Sequence, residues 1–520
     1  MRRLLVCLAV AVLAAPGIRA ESFETAYWVW HRAQPLSAEE QAELTQQKVR
    51  TLYWSVGEVE YRGGHWRWKS APLDVSGSDG SAKPDSAVDR PPAEPANGQA
   101  AEADARRNAH GPAVAGGATR RSLEGVAPGF HVVPVVRLSA EDRAPFAPAA
   151  QAELMERLRT VAGAGELQID FDCPDRLLAE YASALANLRA TVPHLSITAL
   201  THWPRLRDFP KLVRSVEEIA PMFYDMQADP TGVGIASPPP PLLDPEQIGT
   251  ALRAWRGCPI PWRAGLPSFA RLTVFDRTGL SRGQIPNWSW EDFCFHKNLR
   301  TLGPTHLGVT LFRADDDIRV ARTPVAKDEL VASRFVDRGT LAQVLGQARE
   351  AGAAGAIFFR LADGTDPAGW SAADLGALTT PGTPRLILRA SANERLDLVN
   401  DSAFDLPARL SGTKSDRDRG YALEIDAPGP LFREALAGDF WRVTSHVNPD
   451  ADPPVPVAVP LATRVTYWFS HLPAQSRLQT GLLQLAPGAT LAQTRYRILN
   501  CEGATAWKPV QPPVDHLASP

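Results

Sequence analysis

The sequence is poor in the features that mark several common protein classes. Cysteine is scarce, 5 residues in 520, and no paired C-x-x-C occurs, so neither a disulfide-built scaffold nor a ribbon-type zinc site is written into it. No Walker loop, H-E-x-x-H helix or G-x-S-x-G turn is present, which removes the usual sequence bases for nucleotide binding, zincin chemistry and serine hydrolysis. The formal net charge is only −3, so no basic excess points to nucleic acid or to an anionic membrane. The apolar run near the N-terminus is too short to span a bilayer comfortably. A glycine-rich turn is missing after the first strand-like segment, "YWVWH", which argues against an open dinucleotide-binding sheet.

What is present begins with "MRRLLVCLAVAVLAAPGIRA", residues 1–20. Two arginines, an apolar run and a closing Ala20 follow the order of a secretory signal, although Ile18 softens the cleavage site. The expectation is a periplasmic or secreted protein with no membrane span once the signal is removed. Cys7 lies too early in the run to mark a lipoprotein. Four cysteines then remain, Cys173, Cys258, Cys294 and Cys501. Cys258 and Cys294 are the most plausible disulfide pair, and free thiols are an equally fair reading. No ligand spacing supports a metal, and no cofactor is expected.

From residue 25 to about 380, short β-rich runs alternate with helical ones. Strands are expected at 25–31, 50–56, 131–138, 167–172, 195–200, 219–226, 261–269 and 355–361. Helices are expected at 37–47, opened by a Ser37 capping box, and at 147–163, 175–190 and 339–352. About eight such βα units imply a TIM (β/α)8-like barrel over residues 21–380. Two insertions interrupt it. Residues 70–125, rich in Ala, Gly, Pro, Ser and Asp, are expected to be disordered, and protease should cut there first. Residues 270–335 are expected to form a small subdomain after the seventh strand. Beyond "TTPGTP" (379–384) only short alternating strands occur, which predicts an all-β sandwich over 385–520 with a Pro-rich loop at 449–460.

Barrel chemistry sits at the C-terminal ends of strands. In "LQIDFD" alternation turns Leu167, Ile169 and Phe171 toward the helices and Asp170 and Asp172 toward the axis. Carboxylates inside a barrel are costly unless paired or wet, so two on one strand suggest a site. The bland alternative is an ion-pair network with Arg137 or Arg360. Other strand ends carry Trp28, Trp30, His31, Glu58, Arg137, His202, Trp203, Tyr224, Asp225 and Arg360. Aromatic faces with carboxylates and arginines suit a carbohydrate cleft, because rings stack on sugar C–H surfaces and charged groups bind hydroxyls. With 14 tryptophans in the chain, any single one is more often core than platform.

Together "YWVWHR", "LQIDFDCP", "LSITALTHW", "APMFYDM" and "GAIFFRL" resemble an uncharacterised bacterial family known only as a domain of unknown function, over about residues 25–380. More distantly, the chain is similar to family-18 chitinase-like barrels, whose fourth strand reads D-x-x-D-x-D-x-E and whose sixth reads M-x-Y-D. Met222-Phe223-Tyr224-Asp225 matches the latter, and Asp170 and Asp172 match the second and third aspartates of the former. The first aspartate falls on Leu167 and the acid glutamate on Pro174, which has no proton to give. The resemblance implies an exported glycoside-hydrolase-like barrel that binds a polysaccharide or oligosaccharide. It leaves open whether the glycan is cleaved. If it is, Asp172, Asp225 and Asp170 are the candidate catalytic carboxyls, with Tyr224, Trp28, Trp30, His31, Glu58, Arg137, His202, Trp203 and Arg360 as substrate contacts. Asp175, the nearest substitute for the missing acid, is expected instead to cap the next helix. A noncatalytic carbohydrate-binding barrel and a structural envelope protein are the rivals. The glycan and the oligomeric state are not read from the sequence.

Overall fold

The computed structural model describes residues 23–30, 32, 34–70, 125–140, 144–162, 165–303, 305–362, 369–391, 394–410, 419–429, 431–448, 455–456, 462–500 and 502–513. The expected signal segment, His31, Cys501, nearly all of the 70–125 insertion and most of the 449–460 loop lie outside these residues.

Eight parallel strands close into a barrel: β1 Glu24–Val29, β2 Thr51–Arg62, β4 His131–Ala140, β5 Glu166–Asp170, β6 His194–Leu200, β7 Glu218–Met222, β8 Arg263–Pro267 and β16 Gly355–Phe359. Sequence neighbours pair around the ring, and β1 bonds to both β2 and β16, which seals it. Helices follow the expected pattern, including Pro148–Ala162, Leu178–Arg189, Pro245–Trp255 and Arg338–Glu350. The first helix, Ala38–Gln46, opens with the Ser37–Glu40 capping box.

The strands run longer or shorter than the pattern suggests for local reasons. Strand β2 continues to Arg62 because Gly63 and Gly64, both at positive φ, fold the chain back into β3, His65–Ser70, an antiparallel hairpin that rises past the rim. Strand β5 stops at Asp170, so Phe171 and Asp172 belong to the loop above it.

Two apolar layers hold the barrel. Outward residues such as Leu167, Ile169, Leu195, Ile197, Ala264 and Leu266 meet the helices in the main core. Inside the ring, Ala26, Trp28, Trp30, Tyr53, Val133, Val135, Ala220 and Ile357 form a smaller one. Trp28 fits there because β8 offers Gly265; a Cβ at that position would lie 2.9 Å from the indole.

After β8 comes a five-stranded antiparallel sheet built from β9 Ala270–Phe275, β10 Ser281–Gln284, β11 Leu299–Thr301, β12 Val309–Ala314 and β15 Leu330–Phe335. A hairpin of β13 Ile318–Val320 and β14 Thr323–Val325 completes it. The stretch "SWEDFCFHKNL" forms a single turn and a half, Trp290–Cys294, opened by Ser289. Among the described residues from Leu386 onward, strands are joined by turns and one short 3-10 turn, Leu491–Gln493. A three-stranded and a seven-stranded antiparallel sheet share one core that includes Leu388, Leu398, Leu423, Ile425, Tyr467 and Phe469.

This C-terminal region is seated against both of the others. Ser470 hydrogen-bonds to Glu291 of the insertion and, at 2.8 Å, to its own neighbour His471. Burial works against the Glu291 charge, but hydrogen bonding and charge from His471, aided by Ser470, hold its carboxyl down at about 2. Phe295 stacks on Trp441 at 5.7 Å. On the barrel side, Asp405 accepts from Ser371 N, Ser371 Oγ and Ala474 N at 2.6–2.8 Å, while its own N–H donates to Asp374 at 2.7 Å. The expected Cys258–Cys294 disulfide does not form: both are free thiols, because Cys258 packs at the edge of the barrel core and Cys294 inside the insertion core.

Candidate functional site

A row of polar side chains crosses the barrel mouth in register. Glu58 of β2 pairs with Arg137 of β4, and Arg137 pairs with Asp170 of β5. Beyond them β6 places Thr198 one residue past the Ile169–Ile197 pair, and its Oγ1 donates to Asp170 Oδ1 at 2.8 Å. Glu58 also bonds to Lys69 of the hairpin at 3.2 Å.

Asp170 is the titratable centre of this row. Burial is the main force raising its carboxyl. The Thr198 hydrogen bond and Arg137 oppose it, Asp172 and Glu58 reinforce it, and the balance lies at about 6. Asp172 stands two residues further out on the loop and is exposed. Across the mouth, burial and then the charges of Asp170, Asp172 and Asp225 hold the Tyr224 hydroxyl far above the ordinary phenol range. All three carboxylates therefore lie within electrostatic reach of Tyr224.

Asp225 has a second partner that the sequence did not suggest. It sits at φ 56°, and its carboxylate pairs with Arg271 of β9 at 2.5 Å. A little further along the same loop, Asp229 pairs at 2.6 Å with Arg334 of β15, which is 2% exposed. Val233 N donates to Gly279 O of the β9–β10 turn at 3.0 Å. The insertion thus holds the loop after β7 at three points.

The aromatic groups divide into packing and rim. Trp28 is 1% exposed, fills the barrel interior and donates Nε1 to Gln168 at 2.6 Å, so no sugar can stack on it. Trp203 is fully buried against Tyr181 at a centroid distance of 6.5 Å. The expectation of a contact surface at these two is corrected: neither ring face is open. Trp30 is also buried, edge-on to Phe359 at 5.7 Å. Tyr224 stacks on that same Phe359 ring at 5.7 Å and meets Phe269 edge-on. His202 is exposed and bonds to Asp175 at 2.7 Å, so Asp175 is a partner of histidine and not the expected side-chain cap. Arg360 is half-buried next to Phe359, and its carbonyl accepts from Ser268 at 2.8 Å. His31 lies outside the described residues.

Gln168, Thr198, Arg271, Phe269 and Phe359 were missed by sequence reasoning. Gln168 and Thr198 had a signal: they alternate with apolar residues in "LQID" and "LSITAL", so both point inward beside the aspartates. Arg271 had none, because its partner is set by the folding of the insertion. Among the described residues, no group of three or more His, Cys, Asp or Glu is arranged to hold a metal ion.

Residues 129–280 match a family described as a domain of unknown function, DUF3142. This is narrower than the 25–380 over which the resemblance was read. No curated protein matches the chain. Solved structures similar to it include the spore cortex-lytic enzyme SleL of Bacillus megaterium, at 12% identity over 66% of this chain and 72% of that one, with a TM-score of 0.41. A family-18 N-acetylglucosaminidase from Paenibacillus barengoltzii is 13% identical over 66% of this chain and 96% of that one, TM-score 0.38. A chitinase-like agglutinin from Robinia pseudoacacia is 10% identical over 69% and 99%, TM-score 0.39.

Proposed function

We propose that this chain is an exported glycan-binding protein whose barrel mouth cleaves the bound sugar with Asp170 and Asp172 as protonated and ionised carboxyls. The observation that carries the reading is Asp170: a mouth carboxyl raised to about 6, held by Thr198, with an exposed aspartate and Tyr224 beside it. A group that titrates near neutral pH can donate a proton to a leaving oxygen, the task Pro174 cannot perform. Asp172 is then the second carboxyl, on the outer side of the mouth, where it can steady positive charge on the sugar. Arg137, Glu58 and Tyr224 supply hydrogen bonds around the ring, and Asp225 orients the loop through Arg271. Export rests on the signal-like N-terminus.

A noncatalytic binder is the second reading, favoured by Pro174 at the acid position and by the Arg271 pair that neutralises Asp225. The test screens the purified protein against bacterial and plant polysaccharides for both retention and reducing-end release. Under the first reading Asp170→Asn and Asp172→Asn each abolish release and leave folding stability undiminished. Retention without release by the parent protein establishes the second reading. A variant that unfolds, or that turns over like the parent, removes that aspartate from the mechanism.

A further inference from the structure

The seam between the barrel and the C-terminal region gathers more negative charge than it pairs. Asp405 of the C-terminal region, 9% exposed, accepts from Ser371 N, Ser371 Oγ and Ala474 N. Its own N–H donates at 2.7 Å to Asp374, which lies on the short helix Ala372–Gly376 and is 1% exposed. One residue earlier, Ala373 N donates at 2.7 Å to Glu43 of the first helix. Arg338 pairs with Asp374 at 2.8 Å and lays its guanidinium over Phe404 at 5.0 Å. Among the described residues no cation pairs with Glu43 or Asp405. Three carboxylates beside one guanidinium would leave uncompensated charge where little water reaches, so the closed seam favours a proton on one of them.

A second observation points to the same place. Tyr27 of β1 is fully buried, and its hydroxyl has no hydrogen-bond partner among the described residues. Burial, and then the charges of Glu43 and Asp405, hold that hydroxyl far above the ordinary phenol range, so all three groups face one another. Burial lifts the Asp405 carboxyl to about 6 against the pull of the Ser371 and Ala474 donors, and Asp374 adds to the rise. Burial raises Asp374 and Glu43 as well. On its other side Asp405 borders a void of about 10 Å³ together with His471, which faces Glu291 of the insertion. The chain joining the two regions, residues 379–383, is exposed, so side chains and not this link hold the seam shut.

We propose that this seam is a proton-operated latch: closing it takes a proton onto Asp405, so the C-terminal region is held tightly to the barrel in mild acid and more loosely at neutral pH. In an opened seam Asp405 meets water and ionises at its ordinary 3.8, in the closed one at about 6. Below 3.8 both forms hold the proton. Between the two values only the closed form does, so opening becomes easier as pH rises, to a limit reached above about 6. The latch lies apart from the barrel mouth and does not depend on what binds there.

The experiment is peptide-resolved amide hydrogen exchange on the full-length protein from pH 4 to 8, corrected for the intrinsic rate of each amide. The amides of Ser371, Ala373, Asp405 and Ala474 should exchange by local opening, faster than those of β5 and β6. Their opening should be at least about tenfold more frequent at pH 7 than at pH 4.5. Asp405→Asn, which keeps an acceptor but cannot ionise, should flatten this response, and His471→Gln should leave it in place. The response of the parent needs no variant, so a substitution that fails to fold leaves the test standing. A flat or inverted response in the parent, seam amides that exchange only together with β5 and β6, a response that survives Asp405→Asn, or one that vanishes with His471→Gln overturns the proposal.

Discussion

The raised carboxyl of Asp170 has a consequence for stability that can be measured without any substrate. In the unfolded chain this group ionises at its ordinary 3.8, and in the folded barrel at about 6. Between those values the native state keeps a proton that the unfolded state has released, so stability falls as pH rises through the window. The penalty is absent below 3.8 and complete above about 6. At 1.36 kcal/mol per pH unit, the gap corresponds to a ceiling of roughly 3 kcal/mol, reduced by the solvent that reaches this half-buried group. Asp170→Asn removes the titration while keeping a group that can accept from Thr198. Urea unfolding of parent and variant from pH 3.5 to 8 reads the difference. The variant should be similar to the parent at the acid end and gain on it steadily toward pH 7, reaching a plateau. Thr198→Val, which deletes a hydrogen bond to the ionised form, should raise the upper edge of the window and leave its lower edge in place. A stability difference that is flat across this range, or that shrinks as pH rises, refutes the assignment.

Other perturbations follow from the packing. Asp229→Ala strands the Arg334 guanidinium, 2% exposed, with only the Thr273 hydroxyl beside it, and should destabilise by about 3–5 kcal/mol in urea unfolding. Gly265→Ala drives a methyl to 2.9 Å from Trp28 and 3.1 Å from the Pro221 carbonyl, and should cost about 1–3 kcal/mol, seen as a lowered melting temperature with a shifted indole emission. Arg271→Ala, at a half-exposed pair, should cost no more than about 1 kcal/mol yet speed amide exchange in the loop after β7.

The barrel was legible because its signal is local. Each strand is a short apolar run between turn residues, and the alternation in "LQIDFD" sorted Leu167 and Ile169 from Asp170 correctly. Where the strand stops is not local. Pairing to β6 ends at Ile169 and to β4 at Asp170, and Asp172 beyond them is exposed while Asp170 is the half-buried, perturbed carboxyl. The tryptophans misled for a related reason: Trp28 and Trp203 stand at strand ends in sequence, but their depth depends on Gly265 and Tyr181, which are distant in the chain. The β3 hairpin did have a signal, Gly63-Gly64 between "EVEYR" and "HWRWKS", and was not read. The pairing of Asp225 with Arg271 had none.

The seam between the C-terminal region and the rest bears on how the chain can be cut. Asp405 draws donors from Ser371 on one side and Ala474 on the other, and Ser470 reaches Glu291 across a second boundary. A polypeptide ending near residue 380 would lose the Asp405 N–H that donates to the Asp374 carboxylate, leaving it Arg338, and would uncover Phe295, which otherwise lies under Trp441. Excision of the barrel alone should therefore give a sticky, poorly soluble product. The chain is best handled whole, and activity or binding screens on dissected halves would report the damage at the seam as much as the property of either part.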